Sequence, residues 1–197
     1  LLSPDKRQLY VGVGSLSNIA DFGMEVEEGR AAIWQVDLEG GQARVFASGL
    51  RNSIALVRHP SGTILQGENS VDLTTPDHPY DEINVLRQGG HYGWPYCVDL
   101  ATPLPGWSAG QARCSQRDRP VALLPPHAAP LDLIYYDGAM FPELRGRLLM
   151  SWHGYRRAGG RIVAAETDHQ GRPLTDIGGR YALYPRGSAP YPTGAPS

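Results

Sequence analysis

The 197-residue sequence is short of the features that announce a chemistry at once. It has two cysteines and no C-x-x-C, H-E-x-x-H or G-x-S-x-G, so the usual zinc and serine-hydrolase signatures are absent. The G-x-G of "GVGSLS" (12–17) has no third glycine and no helical period after it, which argues against a dinucleotide fold. No basic run is longer than Arg156–Arg157 and the formal net charge is −2, so nucleic acid is not an expected partner. No apolar stretch reaches the roughly 18–20 residues that cross a bilayer, and no membrane-spanning segment is expected. The first residues, "LLSPDKRQ", lack the succession of charged region, apolar core and cleavage site of an export signal.

What is abundant is punctuation. Gly 24 and Pro 17 together exceed a fifth of the chain, too many for long helices and suited to short strands joined by turns. Three segments share one pattern, a proline turn followed by an apolar strand and later a second strand built on Ile and Val. They read "SPDKRQLYVGVGS" then "AAIWQVD", "HPSGTILQGENS" then "DEINVLRQGG", and "FPELRGRLLMSWHG" then "GRIVAAETD". The hairpin "WQVDLEGGQARVFAS" turns at Gly40–Gly41. One supersecondary unit used three times at irregular spacing predicts an all-β chain made of propeller blades, about three of them, over residues 1–184. The tail 185–197 is rich in Pro and Gly without strand pattern and reads as a linker. The stretch from Val98 to Pro126 reads as an inserted, turn-rich loop on one face.

Cys97, just before that loop, and Cys114, within it, lie in a Pro/Gly-rich segment. Paired, they would hold a weakly structured excursion and suit an oxidising compartment; two independent thiols are the other reading.

Several residues have the chemistry of a site. Arg51 and Asn52 in "GLRNS" stand between one strand and the next, where a planar guanidinium fork and a carboxamide would meet an anion or developing alkoxide, or be a solvated surface turn. Glu68, Asp72, Asp77, Asp81 and Glu82 crowd a turn-rich stretch that fits either a hard cation or a solvated acidic loop. "GGHYGWPYC" (89–97) offers an aromatic wall for a planar ligand or a packed cap. His127 and His153 flank apolar strands, and Arg156 follows the second; each also has an ordinary structural reading.

Taken in order, "LYVGVGS", "IWQVD", "SGLRNS", "GENS", "DEINVLRQGGHYGWPYC", "HAAPLDLIYYDG" and "GRLLMSWHG" resemble the soluble PQQ-dependent sugar dehydrogenases, the glucose/sorbosone dehydrogenase family, over about residues 1–165. The resemblance implies a six-bladed β-propeller of which this chain is a part, with pyrroloquinoline quinone across the channel mouth and a calcium ion beneath it. Arg51 and Asn52 would contact the quinone, Ser53 standing where the family has proline, and Arg51 would also stabilise charge during the reaction. The carbonyls of Ser70 and Val71 would hold calcium, although the family's Gly-Pro pair is absent and the loop before "DEIN" is longer. His153 and Arg156 would face the cofactor's carboxylates. The family oxidises an aldose or related sugar by hydride transfer to the quinone and passes electrons to an external acceptor, outside the cytoplasm in the periplasm or as a secreted protein. Its general-base histidine belongs before the strand "QLYVGV", upstream of Leu1, so residues 1–197 by themselves are expected to turn over little. A non-catalytic propeller binding a glycan or protein, and a lactonase-like hydrolase recruiting Glu68, Asn69 and Asn52, are the alternatives.

Overall fold

In the computed structural model, which describes residues 1–107, 111–154, 159–174 and 182–183, three proline turns lead into strands that hold equivalent places in three sheets. The strands are β1 (Gln8–Val13), β2 (Ala32–Asp37), β3 (Ala43–Ser48), β4 (Ser53–Arg58), β5 (Ile64–Glu68), β6 (Tyr80–Val85) and β7 (Gly90–His91), then β8 (Cys97–Val98), β9 (Thr102–Pro103), β10 (Ala122–Pro126), β11 (Pro130–Tyr135), β12 (Leu148–Trp152), β13 (Arg161–Ala165) and β14 (Ala182–Leu183). The sheets run β1-β2-β3-β7, β4-β5-β6-β10 and β11-β12-β13-β14, antiparallel except where β7 pairs parallel to β3. A helix, α1 (Gln111–Gln116), interrupts the connection between β9 and β10.

Each proline turn is closed by an i→i+3 backbone bond, Lys6 to Ser3, Gly62 to His59 and Arg145 to Pro142, and delivers the chain into β1, β5 and β12 respectively. In the second and third sheets that strand is the second, preceded by β4 and β11. In the first, Leu1 exchanges backbone bonds with Tyr10 and Leu2 bridges Leu9, so residues 1–2 lie where β4 and β11 lie in the other sheets. The threefold sequence pattern therefore marks the second and third strands of three propeller blades. Gly41, at φ +66°, closes the β2–β3 hairpin in the left-handed region open to glycine.

One expectation is corrected. The end of the supposed loop 98–126 is a strand, β10, paired with β6 from Ala122 to Pro126. Its prolines hid it in the sequence, yet they are tolerated because β10 is the edge of its sheet, where a missing N–H costs no ladder bond. The expected tail, 185–197, and the boundary before it lie outside the described residues.

Apolar faces of adjacent blades meet. Ala55, Leu65, Ile83 and Leu124 of the second blade pack on Leu133, Leu148, Met150 and Val163 of the third; Tyr10, Ile33 and Phe46 of the first pack with Ile64 and Leu86. Each fully buried Leu or Ile contributes about 1.5–3 kcal/mol. A third cluster covers one rim of the blades. There Ala20, Ala31, Val71, Trp94, Val98 and Leu104 join loops from the first and second blades, and the Cys97–Cys114 disulfide, Cα atoms 5.8 Å apart, closes the excursion. No helix among the described residues is long and apolar enough to cross a membrane.

Candidate functional site

The rim under that third cluster is where β4 begins, β5 ends and β11 begins, and the chain must turn there between strands. Arg51 and Asn52 occupy the turn into β4. The Arg51 carbonyl accepts from the Ser15 N–H at 2.7 Å and the Asn52 carbonyl from the Asn69 N–H at 3.1 Å, so the turn is fixed from two sides. The Arg51 side chain does not extend freely. Its Nη1 donates to the Ser70 carbonyl at 2.8 Å, and Nη2 stands 3.6 Å from the Asp72 carboxylate. Asp72 is in turn 3.4 Å from His127 Nδ1. The structure thus places Arg51, Asn52 and Ser70 on one rim, with Val71 next in the chain and buried in the apolar cluster above it.

His153 is exposed on the third blade; its N–H donates to Ala129 O, two residues beyond His127, which puts it on the same rim. Arg156 lies outside the described residues. Two further residues organise this rim, one from the acidic cluster and one to which sequence reasoning assigned no role. Asp81 accepts from the Ser70 N–H at 2.8 Å and the Ala129 N–H at 2.6 Å, tying the second blade to the third. Arg117, delivered by the disulfide-closed excursion, donates to Tyr92 O at 2.9 Å and stands 3.6 Å from Glu82. For Asp81 the sequence signal was the acidic cluster; Arg117 carried none.

Beneath the rim, a row of polar side chains crosses the second blade. Glu68 and Glu82 are cross-strand partners on β5 and β6, with Gln66 and Asn84 one pleat below and Ser53 beside them on β4. Gln66 Nε2 donates to both Glu68 Oε2 (2.7 Å) and Ser53 Oγ (2.8 Å); Asn84 Nδ2 donates to Gln66 Oε1 (3.1 Å) and Glu82 Oε2 (3.3 Å). Burial raises the Glu68 carboxyl to about 8, with the Glu82 charge adding to it. Burial likewise raises Glu82 to about 7 against the opposing pull of Arg117, and Asp81 to about 7 against its two N–H bonds. A cavity of about 10 Å³, room for about one water, is lined by Arg51, Ser70, Glu68, Glu82 and Trp94 among others.

Do these residues suit a quinone and a calcium ion? Arg51 Nε and Asn69 Oδ1 are buried without a hydrogen-bond partner among the described residues, an unused donor and acceptor at the rim. A buried donor left unmatched is costly, so a polar anionic ring set against Arg51 fits the donor set. For calcium, no group of three or more His, Cys, Asp or Glu among the described residues is arranged to hold a metal. The oxygens at hand are main-chain carbonyls and Asp72, hard donors of the right kind. The Ser70 carbonyl accepts from Arg51 through one lone pair and keeps a second that could face an ion.

Against known proteins, the family pattern described as Glucose / Sorbosone dehydrogenase matches residues 25–172. An uncharacterized protein of Borreliella burgdorferi is 29% identical over 150 residues, covering 75% of this chain and 38% of that protein. Among solved structures, the calcium structure of a Trichoderma reesei carbohydrate-active enzyme of family AA12 superposes with a TM-score of 0.75 at 23% identity, covering 90% of this chain and 54% of that one. The holo form of the pyranose dehydrogenase PQQ domain from Coprinopsis cinerea gives 0.70 at 22%, covering 90% and 55%. The PQQ-bound aldose sugar dehydrogenase of Streptomyces coelicolor gives 0.59 at 20%, covering 94% and 48%. The chain therefore spans about half the length of these solved structures, and the likeness carries the fold, a β-propeller arrangement of which the described residues form three blades.

Proposed function

Since the chain belongs to the glucose/sorbosone dehydrogenase family, we propose that it forms part of a quinoprotein that oxidises an aldose or related sugar and hands the electrons to an external acceptor. When bound, pyrroloquinoline quinone supplies a two-electron acceptor for the hydride leaving the sugar's anomeric carbon. The observation that carries this reading is the Arg51 guanidinium, fixed at the rim by Ser70 while its Nε stays buried and partnerless. Arg51 is read as holding the quinone and stabilising negative charge as it develops on the oxygens nearby. Asn52, whose side chain lies against Gly14, is read as orienting the ring beside it. His153 and Arg156 are assigned to the cofactor's carboxylates. The carbonyls of Ser70 and Val71 are assigned to calcium, which would supply a Lewis acid at this rim. The proton acceptor is not assigned to any residue of this chain. A disulfide in the structure supports a location in an oxidising compartment, the periplasm or the exterior.

The test is a titration of the 197-residue chain with pyrroloquinoline quinone, with and without calcium, read by cofactor absorbance and calorimetry. Saturable binding is expected, tighter with calcium, and Arg51→Ala should weaken it at least about tenfold, the worth of one charge-assisted hydrogen bond. Undiminished binding by Arg51→Ala, or none by the parent chain, would sink the reading.

A further inference from the structure

Asn18 and Asp72 are 54 residues apart, yet one side chain and one main-chain unit exchange two hydrogen bonds. Asn18 Nδ2 donates to Asp72 O at 2.7 Å, and the Asp72 N–H donates to Asn18 Oδ1 at 2.8 Å. A carboxamide that both donates to and accepts from one residue's backbone fixes that residue much as a strand partner would. Asn18 is itself held. Trp94 Nε1 donates to its carbonyl at 3.0 Å and Trp107 Nε1 to the Ile19 carbonyl at 2.7 Å, while the buried Glu27 carboxylate accepts from the Leu16 and Ser17 N–H groups. The loop leaving β1 is thereby strapped over the loop leaving β5.

What Asn18 fixes matters because of the Asp72 carboxylate. It lies 3.6 Å from Arg51 Nη2 and 3.4 Å from His127 Nδ1, and its side chain is 54% exposed. An exposed pair at such a distance contributes little by itself, since ordering two mobile side chains consumes most of the Coulombic gain. Immobilising the main chain of one partner removes part of that entropic cost. We propose that Asn18 is a positioning residue for Arg51: it pins Asp72 so that the Asp72 carboxylate and the Ser70 carbonyl together hold the guanidinium at the rim.

The assignment rests on the reading of Arg51 as the quinone's anchor, but it has an observable that needs no quinone. Labelling of arginines by phenylglyoxal, followed residue by residue by mass spectrometry, reports how tightly Arg51 is held. Asn18→Ala should raise the Arg51 rate about tenfold, as expected when about 1.4 kcal/mol of restraint is lost. The exposed Arg7 serves as the unchanged reference. In the quinone titration Asn18→Ala should weaken binding about tenfold in the parent background and not at all in Arg51→Ala, because a residue acting through Arg51 has nothing left to position. Unchanged Arg51 labelling, or an equal loss of affinity in both backgrounds, overturns the assignment. Raised labelling in a chain that takes up no quinone keeps it and sinks the functional reading instead. If Asn18→Ala loosens the whole cap, the buried Arg117 will label too; Asp72→Asn then stands in, and it must raise Arg51 labelling or the assignment fails.

Discussion

A methyl group on Gly12 would stand 2.0 Å from the Ser53 carbonyl oxygen, and one on Gly14 would stand 3.0 Å from Asn52 Oδ1. These two glycines, on and just after β1, let the first blade close onto the turn that carries Arg51 and Asn52. Gly12→Ala must push backbone against backbone, which no rotamer relieves, so a destabilisation of about 3 kcal/mol is expected, at the upper end for overpacking. Gly41→Ala makes a control with nothing within 4 Å, where only the left-handed backbone opposes a side chain, at about 1 kcal/mol. Urea unfolding of both variants checks the ranking; equal losses would show that the blades separate more easily than this packing implies. The same positions show where sequence reading stops. Arg51 and Asn52 are legible because polar side chains at the mouth of an apolar strand stand out within five residues. The reason for "GVGS" is not, because the group it makes room for lies some forty residues on. The Asn18–Asp72 exchange hides for the same reason, at a separation of 54.

At the scale of elements, the segments "QLYVGV", "ILQGE" and "LLMSW" announced themselves by the proline turn before each, and all three take the same place in their sheets. β4 and β11 escaped the repeat because no shared turn precedes them, and β10 because its prolines imitate a loop. The excursion between β7 and β10 is different again, since short strands and one helical turn cannot bury enough surface to hold their own shape. The Cys97–Cys114 bond, 17 residues apart, does part of that work, and the chain-entropy estimate for such a loop is about 3 kcal/mol. Replacing both cysteines by serine should lower stability by about that amount, with Arg117 moving away from Tyr92 O and Glu82 as the excursion loosens. Guanidinium unfolding of the double variant, or of the parent under reductant, measures it. A stability unaltered in both would mean that the cap of Trp94, Val98 and Leu104 holds the excursion without the bond.

For the molecule as a whole, the unusual feature is that carboxyls are buried on neighbouring strands of the second blade, where such groups are almost never found unless paired. Glu82 is buried at 3% exposure, beside Arg117 and Asn84, and burial outweighs the guanidinium in raising its carboxyl from 4.5 to about 7. A carboxyl raised on folding binds its proton more tightly in the folded chain than in the unfolded one. Its stabilisation is therefore complete below about pH 4.5 and is lost as pH rises through about 7, the reverse of the usual surface carboxylate. The loss across that window is on the order of 3 kcal/mol, or about 8 °C in melting temperature for a chain of this size. Glu68, cross-strand from Glu82 and raised further by its charge, adds to the same slope in the same direction. Glutamine at position 82 imitates the protonated acid at every pH. Glu82→Gln should thus melt close to the parent at pH 5 and above it at pH 8, with a flatter profile between. A parent whose melting temperature rises from pH 5 to pH 8, with Glu82→Gln following it in parallel, would mean that Glu82 is ionised throughout and paired to Arg117, and that the polar row is held by charge instead of by a protonated carboxyl.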